Sequence, residues 1–223
     1  MDTERPIPNE DLTGRARIRD AALEVFAERG AKGATVQLIA AAAGVSTGLI
    51  RHHFGSKEGL RRACDEHAIG VLLDQARRAM EEDTAASGFV DSMYRASGAG
   101  LRYLARALVE GSPAATDLFD AGAVLAERFL TEHDPVRYPP GADTTRDTAT
   151  AMGAVQLSTL VLHTHLDRRM GVDTLDVAHT PRVVAAMAGV HTVMAEFLAG
   201  ERGRPIADSL NPRPPSAPPE EER

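Results

Sequence analysis

Side chains with chemical capability are thinly spread along this 223-residue chain. His163 and Asp167 stand at i and i+4, a separation at which two ligands share one helix face. Neither a cysteine nor a second histidine falls at matching spacing, so an exposed ion pair describes them better than a metal site. His52 and His53 are adjacent, about a third of a turn apart on a helix, and cannot easily chelate one ion. The only cysteine, Cys64, excludes an intrachain disulfide and suits a reducing compartment. It reads as a small hydrophobe, half-buried on a helix, with a redox sensor or an intermolecular disulfide as the alternative. No nucleophile–base pairing or phosphate-cradling glycine loop is visible in the sequence. Catalytic residues, metals and cofactors are therefore not expected, and an all-α enzyme is the remote alternative.

What does cluster is charge. From Leu12 to Cys64 there are nine basic residues and four acidic ones, a net of +5, so the remainder carries −12 of the overall −7. A basic module on an acidic body binds polyanions locally while the body resists nonspecific adhesion. The chemistry to expect is recognition of a polyanion, not bond-making.

The elements that position these charges are helical. Hydrophobic residues make up 43% of the chain and aromatic ones only 4%, with no tryptophan, a mixture that favours helices over pleated strands. Ile18, Ala21, Ala22, Val25 and Phe26 form one stripe of a helix from about Leu12 to Arg29, ended by Gly30 and Gly33. Thr35 reads as the N-cap of a short second helix whose buried face is Leu38, Ile39, Ala42 and Ala43. Gly44 breaks it, Ser46 caps a third helix reaching about His53, and Ser56 caps a fourth from Lys57 to about Glu82. Ala40 is small where two helices cross, Gly44 lets the chain reverse, and Val45 and Ile50 fix the angle from inside. This is the plan of a helix-turn-helix.

At these residues a specific resemblance emerges. The run from Ala34 to Leu60, ATVQLIAAAAGVSTGLIRHHFGSKEGL, resembles the signature of TetR-type regulators: a capping threonine, an Ile-Ala pair, Ala-Gly-Val-Ser at the turn, His-Phe closing the recognition helix, and Gly-Ser-Lys-Glu leading into the fourth helix. The likeness is close over roughly the first 67 residues and extends beyond them only as helix count and length. It implies that the third helix enters the major groove. Ser46 and Thr47 would then hold phosphate, Gly48 would admit close backbone approach, and Arg51 and His52 would reach base edges, the arginine fork fitting guanine O6 and N7. Thr35, Gln37, His53 and Lys57 stand where family members touch phosphates or flanking bases. Thr35 and Ser46 equally serve as plain caps, and His53 equally packs against Phe54 and the first helix. Where many relatives carry a tyrosine, this chain has Arg51. That departure bears on which operator is read, not on the fold.

Beyond the motif, Phe89, Met93, Ser97, Leu101, Leu104 and Leu108 stripe a fifth helix. Gly111-Ser112-Pro113 starts another that runs through Phe129, and a proline-rich loop spans His133 to Ala142. A long helix follows from about Thr144 to Met170, then a last one from Pro181 to Ala199. The resemblance thus implies an all-α chain: an N-terminal three-helix helix-turn-helix DNA-binding domain joined to a C-terminal helical ligand-binding and dimerisation domain. Residues 1–11 form a disordered N-terminal arm, 12–56 the DNA-binding domain, 57–200 the effector and dimerisation domain, and 201–223 a disordered Pro-rich tail.

The partners implied are double-stranded operator DNA, a second copy of the chain and a small-molecule effector of unknown identity. Met152, Val155, Gln156, Thr159, Leu160 and His163 face one way on the long helix. Val183, Val184, Met187, Val190, His191, Met194 and Phe197 recur on the last, and these two helices from each subunit would pair in a homodimer. Met93, Tyr94, Ser97, Tyr103, Phe119, Gln156, Thr159 and His163 are the candidates to line an effector pocket, mixing apolar surface with polar handles. Each also reads as an ordinary core or surface residue. No secretory signal and no uncharged run long enough for a membrane span is seen, so a soluble cytoplasmic protein without a membrane partner is expected. A repressor is the first reading. An activator or ligand-independent regulator of the same fold, and a partner-binding module using the acidic body, are the alternatives.

Overall fold

Hydroxyl side chains and one glycine set the boundaries of the first helices. The computed structural model describes residues 9–81 and 98–210, and among them every regular element is helical. Thr35 Oγ1 accepts the Leu38 amide at 3.2 Å and starts α2 (Val36–Ala43). Ser46 Oγ accepts the Leu49 amide at 3.2 Å and starts α3 (Thr47–Phe54). Ser56 Oγ accepts the Gly59 amide at 3.0 Å at the start of α4 (Lys57–Glu81). Each satisfies an amide that has no partner within its own helix. Between α2 and α3, Gly44 adopts φ 64°, ψ 38°. The Val45 amide returns to Ala40 O at 3.0 Å and the Gly44 amide to Ala41 O at 3.2 Å, a paired closure that needs the left-handed conformation glycine accepts most readily.

The first helix ends in two steps. Helical geometry stops at Gly30, with φ 69° and ψ 174°, as the glycine leads one to expect, and one further short turn carries α1 (Asn9–Gly33) to the second glycine. The buried face of α2 differs from expectation. Ile39, Ala40 and Ala43 are buried, whereas Leu38 is 41% exposed and Ala42 is exposed. On so short a helix the arc from Ile39 through Ala43 to Ala40 is about 100° wide. Leu38 falls outside it.

After α5 (Gly98–Glu110) and α6 (Pro113–His133), the chain turns through a loop closed by Thr145 Oγ1 donating to Pro139 O at 2.8 Å. The helix expected from Thr144 to Met170 is interrupted. It becomes α7 (Asp143–Val161) and α8 (His163–Met170), with Leu162 between them at φ −98°, ψ 11°. Ser158 Oγ and Thr159 Oγ1 donate back to Val155 O and Gln156 O at 2.6 and 2.9 Å. Such back-bonding competes with the backbone ladder and bends helices, and here it stands just before the break. A 3-10 turn (Val177–His179) follows, then α9 (Thr180–Ala199) and α10 (Arg204–Leu210). The last falls in the segment expected to be a tail without structure. Phe89, Met93, Tyr94 and Ser97 lie outside the described residues.

The described residues up to His179 form one compact unit and those from Thr180 onward a second. In the first, Ile18, Ala22, Leu23 and Phe26 of α1 share a core with Ile39, Ile50, Leu60 and Cys64, and that same core takes in Tyr103 and Leu104 of α5 and Leu118 of α6. A separate cluster of Ala126, Leu130 and Ala149 joins α6 to α7. In the second unit, Thr180 is the one buried residue of α9. Val190, Val193, Met194 and Phe197 are 43–63% exposed.

Candidate nucleic-acid interface

Ile50 holds the third helix in place. It is 1% exposed, inside the core shared with α1 and α4, so its neighbour Arg51 and the next residue, His52, are turned outward and exposed. Ser46, Thr47 and Gly48 at the α3 N-terminus are exposed as well, as are Thr35 and Gln37 at the start of α2. The first amides of a helix, with its dipole, favour an anion at that end. A fork-shaped guanidinium farther along suits planar two-acceptor groups.

His53 and Lys57 are half-buried. The His53 ring lies 5.3 Å from that of His52 and 6.2 Å from that of Phe54. It also faces α1, where a Cβ built on Gly14 would sit 3.7 Å from its Nε2, so its packing role is evident. Lys57 opens α4 directly after the Ser56 cap. The Arg15 guanidinium of α1 stands 5.4 Å from the centroid of the Phe54 ring. Sequence reading treats Arg15 only as charge, because the residues that meet are far apart in the chain and no local pattern reports the contact.

Behind this surface α1, α4 and α5 meet at a polar joint. The Tyr103 hydroxyl of α5 donates to the Asp65 carboxylate of α4 in a short hydrogen bond, and its ring tilts against Phe26 at 6.1 Å. Burial raises the Asp65 carboxyl above its ordinary range, opposed by the Tyr103 hydrogen bond and by Arg61. Burial, then the bond to Asp65, raises the Tyr103 hydroxyl. Arg106 of α5 donates to Glu28 O at 3.4 Å and pairs with Glu110 at 2.8 Å, directly over the bend at Gly30. Phe26, Arg61, Tyr103, Arg106 and Ser112 help line a cavity of about 20 Å³ here, room for about one water. Cys64 is fully buried, not half-buried as expected. Its thiol lies 3.7 Å from Arg19 O, and burial, then the neighbouring Asp65, pushes it up to about 12.

Of the residues expected to line an effector pocket, Tyr103 borders this cavity; Phe119, Gln156, Thr159 and His163 do not. Phe119 is half-buried and Gln156 exposed. The Thr159 hydroxyl donates to Gln156 O of its own helix, and His163 Nδ1 stands 2.7 Å from Leu160 O. Met93, Tyr94 and Ser97 fall outside the described residues. Among the described residues, no group of three or more His, Cys, Asp or Glu is arranged to hold a metal ion.

Comparison with known proteins bears on the same region. Residues 18–64 match the family model for bacterial regulatory proteins of the tetR family. The chain is 39% identical over 123 residues to the HTH-type transcriptional regulatory protein RaaS of Mycobacterium tuberculosis, which covers 55% of this chain and 58% of the relative. It is 42% identical over 73 residues to the HTH-type transcriptional repressor KstR2 of Rhodococcus jostii, 31% of this chain and 34% of the relative. In neither case does the match reach two thirds of the relative's length. The fold is shared more widely. The fatty acid degradation regulator FadR of Bacillus halodurans superposes with a TM-score of 0.55 at 22% identity, over 81% of this chain and 94% of that one.

Proposed function

Since this chain belongs to the TetR family through its N-terminal domain, we propose that it is a dimeric transcriptional repressor that covers a palindromic operator until a small molecule releases it. The observation that carries the reading is the presentation of Arg51 and His52 on a helix fixed from behind by Ile50. With α3 in the major groove, Arg51 reads a guanine edge and His52 a neighbouring base. Backbone amides and hydroxyls at Ser46, Thr47 and Gly48 hold phosphate, and Thr35, Gln37, His53 and Lys57 flank them on the backbone. A net −12 outside the basic segment keeps the body off the duplex.

A palindrome demands two recognition helices related by a two-fold axis. The dimer is supported by apolar side chains left exposed on α7 and α9. Val155 is 46% exposed, and on α9 Val190, Val193, Met194 and Phe197 recur at helical spacing. Pairing α9 with the same helix of a second copy buries its stripe. The segment Val177–Ala199 is also long and apolar enough to cross a membrane, with a mean hydropathy of 1.3. It carries Arg182 and Glu196, and a helix partner accounts for its apolar surface.

Release follows from the shared core. Because Tyr103 and Arg106 of α5 grip α4 and α1, an effector that binds better when α5 is displaced shifts the population away from the DNA-competent spacing. The test is retention of genomic fragments on the purified chain, sequenced at two salt concentrations. A recovered palindrome that loses affinity steeply with salt and is ignored by Arg51→Ala supports the reading. Weak, sequence-blind retention overturns it. The recovered operator then serves to screen small molecules for release.

A further inference from the structure

We propose that Arg15 of α1 is a further DNA-backbone contact, a phosphate anchor aimed by the ring of Phe54 at the turn between α3 and α4. The inference rests on the DNA-binding reading and adds to it a residue from a helix outside the helix-turn-helix pair. Arg15 is exposed and its guanidinium stands 5.4 Å from the centroid of Phe54, within the range at which a cation is held by the ring face. The contact is of the guanidinium carbon with the ring, and among the described residues no hydrogen bond occupies the group. Its N–H donors lie in the plane and project from the rim, where they remain available to an anion.

Phe54 is the last residue of the recognition helix, and Gly55, Ser56 and Lys57 follow it immediately. The ring that meets the guanidinium thus belongs to the residue just before the turn into α4, whose capped N-terminus and Lys57 are where backbone phosphate is already expected. A duplex strand presents a phosphate about every 3.4 Å of rise. Two cations and a helix N-terminus at one end of α3 can thus engage neighbouring phosphates of a single strand. The stack also narrows the arginine's rotamers before DNA arrives, so less entropy is lost on binding.

The other arginines at this end of α1 are placed differently. Arg19 is engaged with Asp20 at 2.9 Å, whereas Arg15 pairs with no carboxylate among the described residues. Arg17 is two positions on from Arg15, about 200° around the helix.

The experiment measures binding of the full chain to a fluorescein-labelled duplex pool of random sequence, about 40 base pairs long, between about 50 and about 200 mM potassium chloride. Each neutralised phosphate contributes about 0.9 to the slope of log affinity against log salt, which is about 3.5-fold in affinity over that range. Arg15→Ala is expected to reduce the slope by about 0.9, so that its deficit at low salt shrinks about 3.5-fold at high salt. Arg15→Gln keeps a planar polar group over the ring without charge and is expected to behave alike, which guards against a folding defect in the alanine variant. Arg15→Lys is expected to keep the slope with weaker binding, and Arg17→Ala to match the wild type. A steep wild-type slope left unchanged by both Arg15→Ala and Arg15→Gln overturns the proposal while the DNA-binding reading stands. An Arg17→Ala variant that loses as much slope overturns the role given to the Phe54 stack. A wild-type chain with no salt-dependent retention overturns both readings.

Discussion

Replacing Gly30 by alanine tests how tightly α1 is seated on α5. The residue sits at φ 69°, ψ 174°, a region occupied almost solely by glycine, and forcing a side chain there costs about 1–3 kcal/mol. The added Cβ would stand 2.6 Å from Glu110 Oε1 and 2.8 Å from Arg106 Nη2, so the Arg106–Glu110 pair must move. Its ion pair is half-exposed and worth about 0.3–0.5 kcal/mol. The 3.4 Å bond from Arg106 to Glu28 O adds about 0.5 kcal/mol at the low end of its class. Alanine restricts the unfolded chain and returns about 0.4–1 kcal/mol. The net expectation for Gly30→Ala is a loss of about 1–3 kcal/mol, read as a lower urea midpoint by far-UV circular dichroism at fixed protein concentration. In a background carrying both Arg106→Ala and Glu110→Ala the clashing side chains are gone and the backbone strain is not, so most of the loss should persist. A Gly30→Ala variant as stable as wild type would refute the strain assigned to the bend. A loss that vanishes entirely in that double-alanine background would move its origin from backbone to side chain.

Three further outcomes are expected. Cys64, buried and with its thiol raised to about 12, should resist alkylation in the native chain and react only as the chain unfolds; prompt stoichiometric labelling would contradict its burial. Met194→Glu and Phe197→Glu place charge on the exposed stripe of α9 and should shift the chain to monomer in size-exclusion chromatography with light scattering, so an unchanged mass would count against that face as the dimer contact. Asp65 has a folded-state pKa above its ordinary 3.8, so its ionisation works against the fold: stability is greatest below the unfolded pKa and falls as pH rises through the window up to the folded value. In urea titrations from about pH 3 to about pH 7, Asp65→Asn should remove that fall, and Tyr103→Phe, which deletes a bond favouring the ionised form, should extend it upward. Parallel curves for Asp65→Asn and wild type would refute the assignment.

Local chemistry explains what could be read in advance. Caps at Thr35, Ser46 and Ser56 and the reversal at Gly44 depend on residues within a few positions of each other, so the helix-turn-helix and its outward-facing Arg51 and His52 are legible from residue types and spacing. Hydrophobic periodicity alone misplaced Leu38 and Ala42, because the side of α2 that is buried depends on where α1 lies. The interruption at Leu162 was hidden for a related reason. Ser158 and Thr159 are compatible with a helix, and only their observed back-bonds weaken it there. The joint of Asp65, Tyr103 and Arg106, and the stack of Arg15 on Phe54, form between residues distant in sequence. No local signal predicts such pairs; they emerge only from how the helices pack.

The hydroxyls that begin α2 and α3 each accept a backbone amide, and in doing so they use a lone pair and leave the O–H proton free to point elsewhere. One side chain can therefore serve as acceptor toward its own helix and as donor toward a phosphate at the same moment, with neither bond exchanged for the other. On the proposed DNA-binding reading, folding and recognition use opposite sides of a single oxygen atom. An aspartate at Thr35 or Ser46 keeps the acceptor, loses the donor and adds like charge against the duplex, so it separates the two properties: the helix is still begun, and the polyanion is turned away.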